Sequence, residues 1–105
     1  MVDVYCYGPP TPMTVPQVAE AMRHARVGEE IRVFTDNPAV LNEMRAVAHL
    51  SGNQLARVHA KTAITIDMEE QPDHIYVASD SPPEVSGQYW VVIFHVMPNN
   101  RFVSR

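Results

Sequence analysis

The chain has 105 residues, 46% of them apolar, with 8 Lys and Arg against 12 Asp and Glu for a formal charge of −4. That length predicts one domain, residues 1–105, with enough apolar material for a core, and the single cysteine excludes an internal disulfide or a multi-cysteine zinc or iron–sulfur site. Net acidity argues against nucleic-acid binding, which needs Lys and Arg gathered on one face to displace counterions.

Val2, Val4 and Cys6 alternate with Asp3, Tyr5 and Tyr7, the period of a short strand with one face buried. Gly8-Pro9-Pro10-Thr11-Pro12 then suits neither helix nor paired strand. Thr14 and Gln17 have capping-box spacing, Pro16 fits a first helical turn, and Val15, Val18, Ala19, Met22 and Ala25 share one stripe. With Arg23, His24 and Arg26 near its negative pole and Gly28 as terminator, a helix is predicted over 15–26. Ile31, Val33 and Thr35 alternate with Arg32 and Phe34 in a second strand that stops at Asp36-Asn37-Pro38. Asn37 as cap and Pro38 at the first helical position start a second helix, 38–51, with Leu41, Met44, Val47 and Ala48 as its apolar stripe and Ser51-Gly52-Asn53 as its end. Strand-like stretches follow at 54–59, 63–67, 74–78 and 89–97.

This order predicts an α+β fold: a two-layer α/β sandwich of β-α-β-α-β-β type with extra strands, two helices lying on one face of a mixed sheet. In the last strand Tyr89, Val91, Ile93 and Met97 take one side and Trp90, Val92, Phe94 and Val96 the other. Both sides are apolar, whereas two helices cover one face only. Either that strand is central and the acidic segment covers the far face, or a second subunit does, and a homodimer or partner surface is expected there together with Tyr5, Tyr7 and Phe34.

Charge is unevenly spread. From Ala60 to Gln88 there is one base, Lys61, and six acids, Asp67, Glu69, Glu70, Asp73, Asp80 and Glu84, a net −5 that leaves +1 for everything else. Pro72 and Pro82-Pro83 lie in the same segment, and 68–73 and 79–88 are predicted as exposed connections.

Val2-Asp3-Val4-Tyr5-Cys6-Tyr7-Gly8-Pro9-Pro10-Thr11-Pro12-Met13, with Gly28–Val33, Asp36-Asn37-Pro38-Ala39 and Ser51–Leu55, resembles the TusA/SirA-like sulfur-carrier family. The resemblance runs over about the first 59 residues, and Tyr89–Met97 looks like the family's last strand after an insertion at about 60–88. In that family a Cys-Pro-x-Pro motif opens the first helix, and its cysteine carries a persulfide between proteins of a sulfur relay. The register lays the motif on Pro9-Pro10-Thr11-Pro12, so both prolines match and Pro9 stands where the family has its cysteine. A relay needs a thiolate held near free backbone amides and a helix N-terminus. Proline offers neither sulfur nor amide, and Pro9, Pro10, Pro12 and Pro16 remove four donors between Gly8 and Pro16. The resemblance therefore implies the fold more than the chemistry.

Cys6 lies three positions earlier and, by alternation, on the face of Val2 and Val4, where burial would raise its pKa and silence it. A persulfide-bearing Cys6 is the alternative. His24, His49, His59, His74 and His95 show no metal-ligand spacing, and the adjacent Glu29-Glu30 and Glu69-Glu70 point to opposite faces rather than forming acid/base pairs. His24 and His49 suit helix ends, and Met13, Met22, Met44 and Met68 are explained by core filling. No phosphate- or dinucleotide-binding glycine pattern occurs. The opening MVDVYCYG lacks a basic-then-apolar leader, and the longest nonpolar run, Tyr89 to Phe94, is far short of the ~20 residues that span a bilayer.

The expectation is a cytoplasmic, non-catalytic protein-binding or adaptor domain on a TusA-like scaffold, without metal, cofactor, nucleic-acid or membrane partners. Its partners would be proteins, those of a sulfur relay included, steered by Asp67, Glu69, Glu70, Asp73, Asp80 and Glu84 toward a basic surface. The competing expectation is a sulfur carrier using Cys6.

Overall fold

A computed structural model describes residues 1–63, 73–78 and 87–102. The elements run β1 (Val2–Tyr5), α1 (Thr14–His24), β2 (Glu30–Thr35), α2 (Pro38–Ser51), β3 (Gln54–Ala63), β4 (His74–Val77) and β5 (Gly87–His95). The five strands form one sheet in the order β3-β5-β2-β1-β4. Strand β1 runs parallel to β2 and β4, whereas β5 runs antiparallel to β2 and β3. The predicted α+β sandwich with a mixed sheet is the observed architecture. Strand β4 adds at the outer edge beside β1, so the other four strands remain one continuous sheet without it.

Register sorts the side chains into two faces. Val2, Val4 and Cys6, Ile31 and Val33, and Val92, Phe94 and Val96 join Val18, Ala21 and Met22 of α1 and Val40, Met44 and Val47 of α2 in the main core. On the opposite face Tyr7, Phe34, Val91 and Ile93 form a second buried cluster, with Tyr5 and Tyr89 packed against it. Tyr5 meets Phe34 edge-on at a centroid distance of 5.3 Å and stacks on Tyr7 at 6.0 Å. Strand β5 is central, between β2 and β3, and Val91 and Ile93 on its far face are 4% and 7% exposed within one chain. Whether the acidic segment covers this face lies outside the described residues.

One ion pair is built into the far face. Asp3, opposite Arg32 in the β1–β2 register, accepts from Arg32 Nε at 2.7 Å and Nη2 at 3.0 Å. Both charges are largely withdrawn from water, and the two-pronged geometry is what makes that burial tolerable.

The helix predictions hold in type and differ in detail. Asn37 caps α2, its side chain accepting from the Ala39 amide at 2.9 Å, with Pro38 in the first turn. Gly52 ends α2 in the left-handed region at φ +76°, where its N–H donates to the Ala48 carbonyl. The buried stripe of α2 is Val40, Met44, Val47 and Ser51, so Met44 and Val47 are buried as expected, while Leu41 and Ala48 pack against the core partly buried. In α1 the buried residues are Thr14, Val18, Ala21 and Met22, so Ala21 rather than Ala19 faces the core. No capping box forms. Met13 occupies the cap position in helical geometry without a side-chain cap, because the Thr14 hydroxyl is drawn back to the Thr11 amide at 2.9 Å. Helix α1 ends at His24 rather than at residue 26, and Gly28, at φ +87°, instead turns the chain into β2 with its N–H donating to the Val96 carbonyl.

Strand β3 runs without a break through the expected gap at 60–62, and β5 starts at Gly87, two residues earlier than predicted. The strand expected at 63–67 lies outside the described residues beyond Ala63. None of the described helices is long and apolar enough to cross a membrane.

Candidate functional site

The neighbouring parallel strands β1 and β2 end side by side, and the two connections leaving them, 6–13 and 36–37, lie above the same end of the sheet. This is where an open α/β sheet positions its chemistry, and where the motif-equivalent loop and Cys6 both fall. Gly8, at φ +78°, takes the sharp turn out of β1, and its N–H donates to Asp36 Oδ1 at 2.7 Å, tying the two connections together. Pro9 and Pro12 are exposed, as is Thr11, and Pro10 is half-buried.

Thr11 organises the rest of the loop. Its hydroxyl accepts from the Met13 amide at 3.1 Å and donates to the Ala78 carbonyl at 3.3 Å, reaching from the loop to the end of β4. Its own N–H goes to Thr14 Oγ1, and the Thr14 N–H goes to the Thr11 carbonyl at 3.1 Å. Proline removes the donors at 9, 10, 12 and 16, and internal hydrogen bonds consume those at 11, 13 and 14. These three amides, which could otherwise turn toward a thiolate or another anion, are committed to holding the loop closed.

Cys6 sits beneath this loop. Its N–H continues the sheet by donating to the Phe34 carbonyl at 2.8 Å, and the residue is 2% exposed within the main core. Burial in this apolar setting pushes its thiol up to about 12, and the nearby Glu43 carboxylate raises it further in the same direction. Both influences favour the neutral thiol over the nucleophilic thiolate. Beside it on the sheet end, burial likewise raises Tyr7, with Tyr5, Tyr89, Asp36 and Asp3 adding to the effect.

Glu43 and Asp36 are the site residues that the sequence reading passed over. Glu43 precedes Met44 on α2, three residues after Val40, a flank position that carries a signal for partial burial. Its Oε2 is buried with no hydrogen-bond partner among the described residues. Asp36 could have been found as the acid after β2, next to a cap pair.

The acidic candidates are placed only in part. Asp73 is exposed and accepts from the Met1 ammonium at 2.7 Å, which holds its carboxyl below the usual carboxylate value. Asp67, Glu69, Glu70, Asp80 and Glu84 lie outside the described residues. Among the histidines, His24 approaches Glu20 at 2.8 Å one helical turn back, and His95 stands 3.8 Å from Glu30 across the β2–β5 pair. Among the described residues no group of three or more His, Cys, Asp and Glu is arranged to hold a metal ion. Met22 and Met44 fill the core as expected, whereas Met13 is exposed on the loop and Met68 lies outside the described residues.

Comparison with known proteins finds no matching family model, no matching curated protein and no matching solved structure.

Proposed function

We propose that this chain is a non-catalytic protein-binding domain built on a TusA-like sulfur-carrier scaffold, in which docking is retained and sulfur transfer is lost. The observation that carries the reading is the state of Cys6, the sole thiol of the chain, which is 2% exposed and has its pKa pushed up to about 12. The motif-equivalent loop supports it, since Pro9 brings no sulfur and the amides of Thr11, Met13 and Thr14 are engaged within the loop. The sheet order also accords with the resemblance. Strand β4, within the segment that the resemblance treats as an insertion, adds at an edge and leaves the other four strands contiguous.

The test is sulfur loading. Incubated with a cysteine desulfurase, or with thiosulfate and rhodanese, the intact protein is expected to keep its mass. A gain of about 32 Da per chain, lost in Cys6→Ser, would replace this reading with that of a persulfide carrier. Cytoplasmic location and sulfur-relay partners belong to the same proposal.

A further inference from the structure

Among the described residues strand β3 forms one edge of the sheet, and from Arg57 to Lys61 every residue is exposed. The register, irregular between Leu55 and Arg57, is regular from Arg57 to Ala63. Arg57, His59 and Lys61 therefore stand opposite Ile93, Val91 and Tyr89 on the face away from the helices, and Val58 and Ala60 stand opposite Val92 and Trp90 on the helix side. Alternate side chains of one strand repeat at about 6.6 Å. This edge offers a row of three basic groups at that spacing, backed by an apolar row in which Val58 is 44% exposed. No carboxylate among the described residues pairs with Arg57 or Lys61.

We propose that the β3 edge is a docking strand for an extended acidic segment of a partner protein, which adds to the sheet through main-chain hydrogen bonds. Its carboxylates occupy alternate positions beside Arg57, His59 and Lys61, and small apolar side chains lie between them beside Val58 and Ala60. The inference deepens the protein-docking reading and rests on it, naming the chemistry of the partner.

Charge decides among occupants. A second copy pairing β3 with β3 across a two-fold centred on His59 would set Arg57 against Lys61 twice, a like-charge arrangement. A nucleic acid would engage the basic row and the partly buried Tyr89 ring opposite Lys61 but leave the exposed Val58 row unused, whereas an extended peptide strand uses both rows. Edge charges also discourage aggregation, but that role gives no preference for carboxylates at every second position.

The experiment compares two fluorescein-labelled peptides of equal composition, one alternating glutamate with valine and one carrying its glutamates in a single block, by fluorescence anisotropy against the full chain. The alternating peptide is expected to bind about tenfold more tightly than the block peptide and to weaken as sodium chloride is raised. Arg57→Glu/Lys61→Glu is expected to weaken it about tenfold, and Val58→Gly severalfold, with circular dichroism confirming the fold of each. Amide exchange at 57–61 should slow in the complex. Equal affinity for the two peptides, or indifference to the double charge reversal, overturns the proposal. So does oligothymidine binding as tightly as the alternating peptide and unchanged by Val58→Gly, which assigns the row to nucleic acid. None of these readouts involves Cys6, so sulfur loading and peptide binding fail independently.

Discussion

Labelling of Cys6 in the native protein puts the central physical claim at risk. The thiol is raised from an ordinary value of 9.0 to about 12, so at pH 8 the thiolate fraction falls from about one in ten to about one in ten thousand. Iodoacetamide or a chromogenic disulfide, both of which react with the thiolate, should therefore label native protein at least about a thousandfold more slowly than protein in denaturant. At 2% exposure, access through transient opening slows it further. The same shift has a stability signature whose sign is fixed. A folded-state pKa above the unfolded one contributes stability that is fully present below pH 9 and is lost as pH rises toward 12, at about 1.4 kcal/mol per pH unit. Buried Tyr7 titrates in the same direction, so Cys6→Ala serves as the reference: urea unfolding at pH 8 and pH 10.5 should show wild type losing about 2 kcal/mol more than the variant. Native labelling within about tenfold of the denatured rate, or parallel pH profiles for the two proteins, would refute the argument from burial.

Other substitutions test the frame around that thiol. Asp3→Ala should cost about 3–5 kcal/mol in urea unfolding, because it leaves the largely buried Arg32 guanidinium without its carboxylate. Asp3→Val with Arg32→Leu should recover most of that loss, and no recovery would mean that the cost lies in packing. Gly52→Ala should lower the melting temperature by several degrees, since φ there is +76° and the new Cβ would meet the Asn99 carbonyl oxygen at 2.9 Å; an unchanged melting temperature would mean that the 97–100 turn moves freely. Asn53→Ala should destabilise by about 1–3 kcal/mol, because it strands the Met97 N–H and takes from Asn100 Oδ1 one of its two donors, the other being the Phe102 N–H.

That last residue shows where a sequence stops speaking. Asn53 reads locally as the tail of a helix terminator. In the structure its side chain accepts from Met97 N at 2.9 Å and donates to Asn100 Oδ1 at 3.0 Å, while Asn100 Nδ2 donates to the Met22 carbonyl at 2.9 Å. Three segments meet through two amides that are 47 positions apart, and no local pattern encodes such a partner. Strand order was hidden for the same reason: alternation shows that β5 is apolar on both sides, but only pairing shows that it lies between β2 and β3. What was legible depended on short-range physics. Asn37-Pro38 and Gly52 declared both ends of α2, and period two put Cys6 with Val2 and Val4 in the core. The start of α1 was misread because Thr11, a competing hydrogen-bond partner three residues away, captures the Thr14 hydroxyl that a capping box needs.

This misread cap bears on how far the loop is from chemistry. Placing a sulfur at position 9 should not by itself make a sulfur carrier of this chain, because a thiolate needs unengaged donors, and those at Thr11, Met13 and Thr14 are bonded within the loop while Pro10 and Pro12 have none. Pro9 is exposed, so a cysteine there would be reachable without being activated. In a Cys6→Ala background, Pro9→Cys is expected to label rapidly in the native protein, with a pH dependence centred near the ordinary thiol value of 9.0. A midpoint below about 7 would show that this entrance still gathers backbone dipoles onto the position, and that its internal hydrogen bonds yield when a thiolate competes for them.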